Sequence, residues 1–265
     1  MKSREITVRR TVGAIEQDEL DHVAIEEPLE IRVEGIPAAI TMRTPGDDLD
    51  LAAGFLYTEG VVDGPDDLRA LAVVGENTVD VRLAEGVPMA RARSADRALY
   101  ANSSCGICGK ASIDRLRTHF LGVTGWMPAP AVLAALPDAL RAGQGAFRST
   151  GGLHGAALFD ASGTLFDLRE DVGRHNAVDK VLGARLRADA LEFSGLGLLV
   201  SSRAGFEIVQ KALVARVPLV ATLGAPTSLA VDVARAAGMT LIGWLRSDRW
   251  TVYAGGPGSE STPAP

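Results

Sequence analysis

Cysteine and aromatic rings are scarce in this chain. Its 265 residues hold 2 cysteines and 4 histidines, and Phe, Trp and Tyr together make up 5%. Two cysteines cannot build a disulfide scaffold. With 27 Lys plus Arg against 33 Asp plus Glu, the net charge of −6 leaves neither the basic surface nor the stacking platforms of a general nucleic-acid binder. Long hydrophobic runs are also missing. The most apolar region, Ala212 to Leu223, is broken by Arg216 and Pro218 and falls short of a membrane span. Met1 to Arg10 is too charged to supply the apolar stretch of a signal peptide, so the cytoplasm is the expected compartment. No Walker loop is present, because Ser104 stands where the first glycine before Gly109-Lys110 would be needed, and there is no dinucleotide fingerprint.

What is there suffices for a core: 47% of residues are hydrophobic, 23% are charged, and the mean hydropathy is +0.14. In the first hundred residues, Leu29 to Val33 and Pro37 to Met42 read as a hairpin around Glu34-Gly35, and Thr78 to Leu83 alternates as a half-buried strand. Between them, Asp47 or Asp48 is placed to cap a helix carrying Leu51, Phe55 and Leu56 that stops at Gly60. A helix is expected through Ile113, Leu116 and Phe120, and another over Ala131 to Ala142 with Pro137 kinking or restarting it. Ala156 to Phe159 and Thr164 to Leu168 read as a second hairpin, followed by a helix from Asn176 to Arg187. From Gly195 the period switches repeatedly: Leu196 to Ser201, Pro218 to Leu223 and Thr240 to Leu245 are apolar runs, and Phe206 to Ala215 and Ser228 to Ala237 are helical. That β-α-β-α-β pattern predicts parallel strands covered by helices, a three-layer α/β domain. The expected division is a strand-rich subdomain over 1–101, the α/β domain over 102–254 and a disordered tail over 255–265.

Open α/β sheets bind ligands beyond the carboxyl ends of their strands. Those ends are Ser201 to Gly205, Thr222 to Ser228 and Gly243 to Arg249, which combine small residues with arginines suited to phosphate oxygens; ordinary capped turns are the alternative. The sharpest local signal is Cys105-Gly106-Ile107-Cys108-Gly109-Lys110, where a helix start and a lysine would favour thiolate. It reads as a single active thiol carrying a transferable group, a redox pair, half of a zinc site or an inert buried pair. His154 and the block Glu170 to Lys180, with His175, offer acid-base or ligand contacts; the plainer reading is a helix start with Asp171 and Arg174 paired at the surface.

Taken in order, Cys105 to Gly109, Thr150-Gly151-Gly152-Leu153-His154, Glu170 to Lys180 and Ala225-Pro226-Thr227 resemble the FdhD/NarQ family, the formate dehydrogenase accessory sulfurtransferases, from about Arg43 to Tyr253. The resemblance implies a cytoplasmic sulfur carrier. It would take sulfur from a cysteine desulfurase as a persulfide and pass it to the bis-molybdopterin guanine dinucleotide cofactor of formate dehydrogenase. By motif position Cys105 is the persulfide carrier and Cys108 its supporting neighbour. The cofactor-binding segment falls on Trp244, Leu245, Arg246, Ser247, Asp248 and Arg249. The fold implied for the larger half is cytidine-deaminase-like, without the deaminase zinc signature and with no resident metal. A homodimer, a thiol-disulfide oxidoreductase and a non-catalytic cofactor chaperone remain open. Two departures stand out: Ser201 to Glu207 lacks the glycine before and the serine after Arg203, and Trp244 replaces the usual phenylalanine.

Overall fold

The computed structural model describes residues 1–89 and 122–255. Cys105, Cys108, the helix expected through Ile113 to Phe120 and the tail from residue 256 onward lie outside the described residues.

The chain opens with a two-stranded ribbon that sequence reasoning missed: β1 (Ser3–Val12) pairs antiparallel with β2 (Ile15–Ala24), from Ser3 opposite Ala24 to Val12 opposite Ile15. Most of its side chains are exposed, so there is no buried face to mark the period, and cross-strand charges such as Arg9–Asp18 at 2.9 Å line it instead. A four-stranded sheet follows, in the order β4-β3-β6-β5, from β3 (Glu27–Val33), β4 (Ile36–Arg43), β5 (Leu68–Gly75) and β6 (Thr78–Leu83). The β3–β4 turn puts both Glu34 (φ 53) and Gly35 (φ 78) at positive φ, which matches the twist of a tight hairpin. The inner face of this sheet, with Leu29, Ile31, Val79 and Val81, is buried with residues of α1 (Asp48–Thr58). The capping expectation needs correction: Asp47 takes the N-cap position in a left-handed conformation but makes no side-chain cap, because its carboxylate lies 3.2 Å from Lys2.

The α/β half comprises α2 (Pro130–Gly143), α3 (Gly145–Thr150), β7 (His154–Phe159), β8 (Leu165–Asp171), α4 (Arg174–Arg187), β9 (Gly197–Val200), α5 (Phe206–Val214), β10 (Leu219–Thr222), α6 (Ser228–Ala236), β11 (Thr240–Gly243) and β12 (Thr251–Ala254). The sheet order is β12-β11-β10-β9-β7-β8; β9, β10 and β11 run parallel, as the period switching predicts, and β7, β8 and β12 add antiparallel strands. Side chains alternate between two cores. Leu198, Val220 and Leu241 join a cluster with α4, α5 and α6, whereas Leu199, Leu219 and Ile242 meet Leu133, Leu136 and Leu140 of α2 on the other face. The α/β half is therefore three-layered. Pro137 is accommodated inside α2 without ending it. The first cluster also takes in α1 and the inner face of the four-stranded sheet, so both halves share one apolar core.

Candidate functional site

The parallel strands set the site. Beyond their carboxyl ends the hydrogen-bond ladder continues through the loops: Gly224 N donates to Ser202 O at 3.0 Å, Trp244 N to Gly224 O at 3.0 Å and Leu245 N to Thr222 O at 3.0 Å. Gly224 is needed for this lacing, since a Cβ there would lie 2.9 Å from the Arg203 backbone. Three loops distant in sequence thereby become one rigid rim. From the neighbouring strand, Gly155 N donates to Ser201 Oγ at 2.9 Å and Ser201 N to Gly155 O at 2.9 Å, which brings His154 to the same edge.

A cavity of about 610 Å³ opens on this rim, within the range of small-molecule sites. Four arginines line it: Arg141 from α2, Arg174 from the first turn of α4, Arg203 after β9 and Arg246 after β11. No carboxylate lines it, and none of the four makes an ion pair among the described residues. In a chain with an overall negative charge, this concentrates positive potential in one concavity and suits phosphate oxygens. Arg246 Nη1 is engaged by the carbonyls of Leu223 and Leu245, both at 2.7 Å, which braces the rim. Trp244 is 50% exposed, at φ 53, and presents an indole beside these cations.

Of the segment singled out in the sequence, Trp244, Leu245 and Arg246 line the cavity; Ser247, Asp248 and Arg249 do not, and form an exposed turn closed by Arg246 N donating to Arg249 O at 2.8 Å. Arg141 and Arg174 were not singled out as ligand contacts. Arg141 comes from a helix whose sequence carries only an amphipathic pattern, and the plainer reading of the Glu170 to Lys180 block pairs Arg174 with Asp171 at the surface. That pairing is corrected by the structure. Asp171 is fully buried against Lys180, at 2.7 Å, and also accepts from Thr44 N, Gly173 N and Asn176 Nδ2, leaving Arg174 free to face the cavity.

The two histidines of interest part company. His175 Nε2 sits 2.7 Å from Glu207 Oε2 in the first turn of α5 and holds that carboxyl below its ordinary range. His154 lines the cavity, where burial, with Arg174 and His175 nearby, lowers its pKa below the usual 6.5 and Asp171 opposes only weakly. It is neutral at pH 7, so it can accept or donate a hydrogen bond there without adding charge. Because the folded pKa is depressed, the unfolded chain takes up this proton first as pH falls below 6.5. His154 therefore contributes stability that is present above that value and lost as pH drops through the folded pKa. Scanning calorimetry from pH 7 to pH ~5 should show a steeper fall in Tm for the wild type than for His154→Gln. Parallel curves would reject the assignment.

The FdhD/NarQ family profile matches residues 24–258. The chain belongs to the FdhD/NarQ family. It is 50% identical over 267 residues to the "Sulfur carrier protein FdhD" of Streptomyces avermitilis, covering 94% of each chain. Its identity to the protein of the same name from Mycobacterium tuberculosis is 44% over 266 residues, covering 93% of this chain and 96% of that one. In three dimensions it is similar to the crystal structure of a candidate formate dehydrogenase accessory protein from Desulfotalea psychrophila, with a TM-score of 0.78 at 24% identity, covering 96% of this chain and 98% of that one. The last likeness bears on the fold alone: the same overall architecture recurs at low identity.

Proposed function

We propose that this protein is a cytoplasmic sulfur carrier in formate dehydrogenase maturation. The observation that carries the reading is the strand-end cavity, lined among the described residues by four arginines without ion pairs and by no acid, in a chain whose relatives are named sulfur carriers. In this reading Cys105 thiolate attacks the terminal sulfur of a cysteine desulfurase persulfide. A new S–S bond forms at Cys105, the donor's S–S bond breaks, and the donor cysteine leaves as thiolate. Cys108 supports the exchange. The acceptor, the bis-molybdopterin guanine dinucleotide cofactor, is bound through its phosphates by Arg174, Arg203 and Arg246, and its guanine ring has Trp244 beside it. Ser247, Asp248 and Arg249 continue that segment as the turn closed on Arg246. The two-part division near residue 101, a cytidine-deaminase-like kinship of the α/β half, the homodimer and formate dehydrogenase as recipient belong to the same reading.

The test is intact mass after incubation with a cysteine desulfurase and cysteine, beside Cys105→Ala and with a reductant control. A gain of one or more sulfur atoms, removed by reductant and absent from Cys105→Ala, is expected. No gain, or the same gain in both proteins, overturns the carrier role and leaves a cofactor chaperone or a redox pair.

A further inference from the structure

A second cavity, of about 340 Å³, adjoins the arginine-lined one and shares Arg141, His154, Ser201 and Leu223 with it. Its own walls include Phe147, Leu153 and Gln144. Gln144 occupies the joint between α2 and α3, with its N–H donating to Leu140 O and Arg141 O and its carbonyl accepting from Arg148 N. The residue is only 4% exposed, yet Nε2 has no acceptor among the described residues. A buried amide donor is normally satisfied, and leaving one unmade is unfavourable. The fold nevertheless makes room for it. A Cβ on Gly155 would lie 2.6 Å from Gln144 Cδ and 2.7 Å from Nε2, so only glycine at this point of β7 lets the carboxamide sit where it does.

The other polar groups around this space point to the same complement. Ser201 Oγ accepts from Gly155 N, which leaves its own proton to donate. His154 is neutral. Among the described residues no carboxylate lines the cavity, and Phe147 with Leu153 and Leu223 supplies apolar wall. Of the four cations only Arg141 reaches it, whereas Arg174, Arg203 and Arg246 lie in the larger cavity alone. The larger space therefore suits the phosphates and has an aromatic surface of its own in Trp244. The smaller suits an uncharged planar ring rich in hydrogen-bond acceptors.

We propose that the smaller cavity is a second ring subsite. It takes a fused bicyclic lactam, a pterin or a purine, belonging to the same ligand whose phosphates lie among the arginines, with Gln144 and Ser201 donating to the ring's carbonyl and nitrogen acceptors. The assignment rests on the dinucleotide reading of the larger cavity given above.

Free pterin, followed by its own fluorescence, and guanosine, followed by calorimetry, are titrated separately into wild type and Gln144→Met, each with and without saturating GDP. GDP is titrated alone into both proteins. The expected result is that pterin binds beside GDP and loses about tenfold in affinity in Gln144→Met, the scale of one hydrogen bond to a buried acceptor, with GDP affinity unchanged. Guanosine in place of pterin, or GDP itself weakened about tenfold, would make the ring a purine and keep the subsite. If GDP binds but no ring binds beside it and Gln144→Met changes nothing, the subsite is overturned. Should a ring bind with Gln144 dependence while GDP does not, the dinucleotide reading fails and the subsite stands; loss of both kinds of binding in the wild type overturns both. Gln144→Glu, which keeps the volume and reverses the hydrogen-bonding sense, serves if Gln144→Met does not fold, and is expected to weaken ring binding at least as much.

Discussion

Gly183→Ala is expected to destabilise the protein by about 3 kcal/mol, at the upper end of the range for overpacking, and to lower Tm by about 6–12 °C for a chain of this size. The cause is the tight crossing of α1 and α4. A Cβ on Gly183 would lie 1.9 Å from Asp50 O and 2.5 Å from Gly54 N, and a Cβ on Gly54 would lie 1.8 Å from Asp179 O. Every obstructing atom is backbone, so no rotamer change relieves the clash and the helices must part. Parting them is resisted. Asp50 of α1 is paired with Arg187 of α4 and with Arg169 of β8 at 3.0 Å, and Thr58 donates to buried Asp179 at 2.8 Å. Gly195→Ala, with open space around it, is the control and should shift Tm little. Thermal unfolding of the three proteins checks this; a fall of less than ~2 °C for Gly183→Ala would show that the crossing can relax.

Lys180→Met is expected to cost about 3–5 kcal/mol, because it removes one partner of a fully buried ion pair. Lys180 and Asp171 are both 0% exposed, with Nζ 2.7 Å from Asp171 Oδ2 and 2.8 Å from Thr44 O. Burial pushes the lysine amine below its usual 10.5 and Asp171 opposes that shift. Without the ammonium, Asp171 keeps its three N–H donors from Thr44, Gly173 and Asn176 but holds a charge with no counterion. These contacts join the end of β4 to the end of β8 and to the first turn of α4, which carries Arg174 into the cavity. Asp171→Asn added to Lys180→Met should therefore recover part of the loss. A double-mutant cycle by denaturant unfolding reads the coupling. Strict additivity, or a loss under ~1 kcal/mol for the single variant, would mean that the pair is dispensable.

Much of the α/β half was legible because its elements bury themselves by period. The runs at 196–201, 218–223 and 240–245 became β9, β10 and β11, and the expected hairpin after residue 156 became β7 and β8. The ribbon β1–β2 and strand β5 were not legible, since both are largely exposed and leave no alternation of buried and solvated positions to read. The block from Glu170 to Lys180 carries more charge than a turn requires, but its plainer reading puts Asp171 and Arg174 together at the surface. Nothing local tells that Asp171 meets a lysine on the next helix and Thr44 from another sheet, both in full burial.

By itself the sequence determined the family, the order of the strands that carry the site, the small and arginine-bearing loops at their ends and the spacing of Cys105 and Cys108, because each of these is a local pattern of residue types. Which of those residues converge depends on packing between elements far apart in the chain. Arg141, Arg174, Arg203 and Arg246 lie on four separate elements, and they meet because the parallel ladder stacks three strand ends while α2 covers one face of the sheet and α4 the other. The unpartnered amide of Gln144 and the neutrality of His154 have the same origin, since desolvation and the lack of a partner belong to what surrounds a side chain and not to its neighbours along the chain.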